Sequence, residues 1–358
     1  MGPGGRTAAT AAPTAAPRRP GAGAGARAAF GALALLAALA GCAPAPAAVL
    51  EIEGCGGGPA VRTSDELRAA LASAEPGDTI LLAPGTYEGR FVADRPGTPE
   101  APITLCGTAE SVLDGGGTDG GYVLHLDGAS FWVLSGFAVR NGKKGIMLDA
   151  TSGAELRDLT VSEIGDEAVH LRRHSSGNLV RGLRIRGTGL ENPRFGEGIY
   201  VGSAEGNWCE LTGCAPDASD GNRILDNVIE RTTAEAIDVK EGTTGGLVAG
   251  NRVDGSAVTE ADALVDVKGN AWRVRDNEGT AAPRAGVQVH VLVPGWGRDN
   301  ALAGNTVAVP PSGWAIEPVG EAAGASAGNV VACDNVALVD GSPAASRIAP
   351  GGCAQGAG

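Results

Sequence analysis

Two stretches of the chain, "EAIDVKEG" at 235–242 and "LVDVKGN" at 264–270, write Asp-Val-Lys twice at nearly the same local setting. Lysine is scarce: of 28 basic residues only Lys143, Lys144, Lys240 and Lys268 are not arginine. Arginine stays protonated in proteins, whereas a lysine can give up its proton when burial or a neighbouring positive charge lowers its pKa. Lys240 is therefore a candidate general base, and Lys268 or His290 a candidate acid. Glu167, Glu197 and Glu235 are candidate ligands of a hard cation such as Ca²⁺, which prefers several carboxylate oxygens. Arg172, His170, Tyr200, Asp238 and Asp266 are candidate substrate-binding residues. The plainer alternative pairs Lys240 and Lys268 with Asp238 and Asp266 as surface charges, worth under about 1 kcal/mol per pair.

These residues need a scaffold that brings distant segments into register. Short apolar segments recur as "GIMLD", "AVHLR", "GIYVG", "AIDVK", "LVDVK", "GVQVH" and "AIEPV", at spacings expected of coils in a solenoid. In each, apolar residues alternate with polar ones, such as Ile237 and Val239 against Asp238 and Lys240. Side chains of a strand point alternately to opposite faces, so the apolar pairs fill the coil and their partners form outward columns. One column runs Met147, His170, Tyr200, Asp238, Asp266, Gln288, Glu317. A second includes Asp149, Arg172, Lys240, Lys268 and His290, and a third carries Glu167, Glu197 and Glu235. A separate line of strands places Asn227, Asn251, Asn277, Asn305 and Asn335 in one register, where stacked side chains can meet backbone groups at the bend.

The formal net charge is −13 and aromatic residues are 4%, so the core must come from Val, Ile, Leu and Ala, and a nucleic-acid surface is excluded. Arginines followed by "AAFGALALLAALAGCAP" resemble the signal peptide of a bacterial lipoprotein, ending in the lipobox Leu39-Ala40-Gly41-Cys42. The expected organisation is a signal peptide at 1–41, a lipidated Cys42 opening an anchor and linker at 42–60, one solenoid at 61–345 and a tail at 346–358. The expected location is outside the cytoplasm, lipid-anchored or secreted, as a monomer. Setting Cys42 aside, six cysteines remain, and the simplest pairing joins neighbours: Cys55 with Cys106, Cys209 with Cys214, Cys333 with Cys353.

The helix pattern "TSDELRAALASAE" followed by "PGDTILLAPGTYEG" resembles the entry segment of the pectate-lyase-like superfamily. That resemblance implies an all-β, right-handed parallel β-helix with an N-terminal capping helix. The run "AEAIDVKEG" followed by "DVKGN" is similar to the active-site coils of the alginate lyase and chondroitinase B family. There a Glu five residues before a Lys helps to hold Ca²⁺ and the Lys is the base; Glu235 and Lys240 match these positions. Lys268-Gly269 falls where the family has an Arg, and Thr233 replaces a further Glu. The resemblance implies a lyase that cleaves a uronic-acid polysaccharide by β-elimination: a cation neutralises the carboxylate, and a base removes the acidified carbon-bound proton. A noncatalytic glycan-binding lipoprotein is the alternative. A glycoside hydrolase ranks lower, because the paired aspartates of polygalacturonase-like β-helices are missing.

Overall fold

The computed structural model describes residues 49–355; the proposed signal peptide, Cys42 and the last three residues lie outside that range. Three parallel sheets of 12, 11 and 9 strands run the length of the chain, each strand pairing with its counterpart one coil away. The protein is a parallel β-helix. Antiparallel pairs occur at both ends, Val49–Ile52 with Gly56–Val61 and Val336–Val339 with Ser342–Pro343.

The helix Ser64–Ser73 starts at Thr63, whose hydroxyl accepts from the Glu66 amide at 3.2 Å. Its Leu67 and Leu71 are buried, closing one end of the stacked core. The coil interior follows the alternation seen in the sequence: Ile146, Leu148, Val169, Leu171, Ile199, Val201, Ile237, Val239 and Val267 are all fully enclosed. The three disulfides join Cys55 to Cys106, Cys209 to Cys214 and Cys333 to Cys353.

The asparagine ladder is continuous. Each of Asn227, Asn251, Asn277 and Asn305 donates its side-chain amide to the carbonyl oxygen of the next, at 2.8–2.9 Å. The residues just before these four, Asp226, Gly250, Asp276 and Gly304, have φ of 55°, 68°, 56° and 64°. The chain turns there through the left-handed region that Asp and Gly tolerate best, and the Asn side chain meets the amide left free by the turn. Shorter ladders, Asn178 to Asn222 and Asn300 to Asn329, do the same at a second bend.

The outward columns lie in the nine-stranded sheet with the register read from the sequence: Met147, His170, Tyr200, Asp238, Asp266, Gln288 and Glu317 are successive partners. They are not surface residues, however. His170, Asp238, Asp266, Gln288 and Glu317 are buried, because long side chains on coils one strand spacing apart cover one another.

Candidate active site

Tyr200, Asp238 and Asp266 sit on strands Ile199–Val201, Ile237–Val239 and Ala263–Val267. The strand ladder continues one residue further, since the Lys240 amide donates to the Val201 carbonyl and the Lys268 amide to the Val239 carbonyl. Both lysines are thereby held above Asp238. Its two oxygens accept one ammonium each, Lys240 and Lys268 both at 2.7 Å, and Lys268 also reaches Asp266 at 2.9 Å.

This geometry corrects the expectation of a lysine with a lowered pKa. Burial alone would favour the neutral amine, but Asp238 outweighs it and raises the pKa of Lys240 above the ordinary value. Lys268 is pushed the same way by Asp238 and Asp266. The two lysines nevertheless differ: the Lys268 side chain is 6% exposed, that of Lys240 16%. Lys268 is the more buried cation, bound to two carboxylates, and Lys240 the more exposed one, bound to Asp238 alone. Its ammonium lies 5.1 Å from the centre of the Tyr200 ring. Burial, then Asp238 and Glu197, raise the Tyr200 phenol well above its ordinary pKa, so it is neutral at rest.

Behind Tyr200, the His170 ring packs edge-on at 4.4 Å. Its Nδ1 faces Glu167 at 2.9 Å and its Nε2 the Gly202 carbonyl at 2.9 Å, so both nitrogens face acceptors. Burial opposes ionisation of Glu167, yet His170 and Lys144 hold its pKa down at about 2. His170 thus links Glu167 to the Tyr200 ring, while Glu167 Oε2 stays buried without a hydrogen-bond partner. Arg172 is likewise engaged, with Asp149 at 2.7 and 3.2 Å and the Tyr122 hydroxyl at 3.1 Å. It has no free fork for a substrate carboxylate. His290 lies toward the other end of the sheet, bonded to Gln288 at 3.0 Å and 3.6 Å from Asp266.

Glu197 and Glu235 have no cationic partner among the described residues. Oxygens of Glu197, Glu235 and Asp238 lie within 4.8 Å of one another. Burial and then Asp238 push Glu197 up to about 9 and Glu235 up to about 8. Of the three glutamates expected as a cation site, Glu197 and Glu235 stand together with Asp238 in place of Glu167, and these donors do not suit Ca²⁺. Calcium takes six to eight oxygens, whereas both Asp238 oxygens carry ammonium groups and Glu167 lies outside the cluster, its Oε1 taken by Lys144 and His170. Two carboxyl groups remain, with two positive charges beside them.

An alginate lyase from Paenibacillus sp. str. FPU-7 has the same architecture, with a TM-score of 0.70, 35% identity, and coverage of 83% of this chain and 96% of that one. The chain belongs to this family of β-helical polysaccharide lyases. Pectate lyase Pel9A (TM-score 0.51, 16% identity, covering 70% and 68% of the two chains) and a lacto-N-biosidase from Eubacterium ramulus (0.50, 10%, 82% and 65%) share the fold. The last of these is a biosidase and not a lyase, so the fold alone does not set the chemistry. No family model matches the sequence, and no curated protein does.

Sequence reasoning brought the lyase's Tyr200, Lys240, Glu197 and Glu235 to one place. It missed Asp217, a fully buried carboxylate that accepts from the amides of Arg173 and His174 and from the hydroxyls of Ser203 and Ser219. Asp217 ties the inserted segment after Gly202 to the preceding coil. Its only signal was position, inside the one insertion closed by a disulfide.

Proposed function

We propose that the lyase acts on a uronic-acid polysaccharide, alginate foremost, and cleaves it by β-elimination with Tyr200 and Lys240 as the reacting pair. One observation carries this reading: the more exposed ammonium of the asymmetric lysine pair is the one lying against the Tyr200 ring. The alginate lyase relative supports the substrate class.

Glu197 and Glu235, protonated at neutral pH, donate to the uronate carboxylate and so acidify the adjacent C5–H bond. Tyr200, its own phenolic proton first lost to solvent, takes the C5 proton and returns to the neutral phenol. The electron pair left on C5 forms the C4–C5 double bond as the C4–O bond breaks. Lys240, held charged by Asp238, supplies the proton to the leaving oxygen. Its role is therefore that of acid, the reverse of the base expected from sequence, and no step passes through a metal.

The test is ultraviolet absorbance of the unsaturated product on alginate, pectate and glycosaminoglycans, with and without a chelator. Product from at least one polyuronate, unaffected by chelation, is expected. No product on any of them, or activity lost to the chelator and restored by Ca²⁺, would contradict the reading. Export with lipidation at Cys42 belongs to the same proposal and is supported by the lipobox and by three disulfides, which persist in oxidising compartments. Incorporation of labelled fatty acid that disappears in Cys42→Ala is the expected result.

A further inference from the structure

Beside the reacting pair, toward the N-terminal end of the sheet, lies a hollow of about 260 Å³ whose lining includes Lys143, Asp166, Phe195, Asn207 and one side of Tyr200. It is smaller than the roughly 300–1,000 Å³ of sites for drug-sized molecules, so it suits one ring of a polymer. Its wall is built, not incidental. Asp217 anchors the insertion that carries Asn207, Glu241 accepts from the Glu205 amide at 2.8 Å, and the Trp208 ring nitrogen donates to the Ser203 carbonyl at 2.9 Å.

The lining has the features of a uronate subsite. Phe195 is 54% exposed, an apolar face presented to solvent for which the fold has no packing use. Lys143 is the cation of this region without a tight partner: its nearest carboxylate oxygen, on Asp166, is 3.9 Å away, and its side chain is half exposed. Lys144 and Arg172, by contrast, are fully engaged. The other Asp166 oxygen is buried with no hydrogen-bond partner, so Asp166 does not hold Lys143 as Asp238 holds Lys240.

We propose that this hollow is a subsite for one uronate unit next to the scissile bond, with Lys143 pairing the sugar carboxylate and Phe195 stacking on the ring. It rests on the polyuronate reading above and extends it by fixing where a neighbouring sugar sits. The polymer then runs along the stacking direction of the coils, from this hollow across Tyr200 and Lys240.

The experiment measures product formation from uronate oligomers of increasing length by wild type, Lys143→Met and Phe195→Ala. For oligomers long enough to fill the hollow, each substitution should raise KM by about tenfold, the worth of one charge-assisted or stacking contact, while changing kcat far less. Shorter oligomers should show no difference, and oligomers reduced to the neutral sugar only at the unit that fills the hollow should remove the Lys143→Met effect while keeping that of Phe195→Ala. KM unchanged at every length would overturn the subsite, as would a loss in kcat alone. Failure of the underlying reading is distinct: wild type itself would then form no unsaturated product.

Discussion

The asparagine ladder and the acidic centre are both stacks of polar side chains buried by the same repeat, yet they are balanced in opposite ways. In the ladder every carbonyl oxygen receives and every amide donates, from Asn227 through Asn305, at 2.8–3.2 Å. At the centre, Glu197 and Glu235 lie beside Asp238 with no cation of their own, and their pKa values rise to about 9 and about 8. A satisfied buried stack holds the solenoid together. An unsatisfied one is tolerated because the surrounding fold is stable enough to carry it, and functional sites are where such cost is retained.

The contrast is broken most strongly at Lys268. Lys268→Met leaves Asp238 and Asp266 buried with too little positive charge, and loss of one partner of such a group costs about 3–5 kcal/mol. Calorimetry should show melting lowered by many degrees, whereas Lys240→Met, at the more exposed position, should melt closer to wild type. Equal melting of the two variants would show that Lys268 is no more structural than Lys240.

Asn251→Ala tests the ladder side. It strips partners from the amide and side chain of Asn227 and from the Ile224 and Ala249 carbonyls. The expected loss is about 2 kcal/mol in denaturant unfolding, with kcat unchanged.

The contrast is also read in the pH dependence of stability. A carboxyl whose pKa is raised on folding binds more protons in the native state, so its contribution is complete below the unfolded pKa and is lost as pH rises to the folded value. For Glu197 the window runs from the ordinary glutamate range up to about 9. Across it the slope is about 1.4 kcal/mol per pH unit. Wild type should therefore lose melting temperature from neutral pH to pH 9 more steeply than Glu197→Gln. Parallel curves would mean that Glu197 is ionised throughout.

Much of this contrast was legible beforehand, because period-two alternation needs only residue types. Ile237 and Val239 must face inward, so Asp238 and Lys240 face out, and the repeat then aligns Tyr200, Asp238 and Asp266. The shared register of Asn227, Asn251, Asn277, Asn305 and Asn335 announced the ladder for a similar reason, since it too follows from the repeat. What remained hidden depends on how side chains bend between coils. The column placed Arg172 beside Asp149 and Lys268 beside Lys240, but not that Asp149 occupies the guanidinium or that Asp238 bridges both ammonium groups. The sign of each lysine's pKa shift follows from those bridges and reverses with them. The hollow beside Tyr200 was hidden too, because an insertion closes it and insertions break the repeat.

The most direct measurement is the rate of unsaturated-product formation by Lys240→Arg on the polyuronate that wild type cleaves best. Arginine keeps the positive charge beside Asp238 but cannot release a proton, so kcat should fall by about 10²–10⁴ with melting little changed. A folded Lys240→Arg that turns over within a few fold of wild type would remove Lys240 from proton transfer and contradict the Tyr200–Lys240 centre.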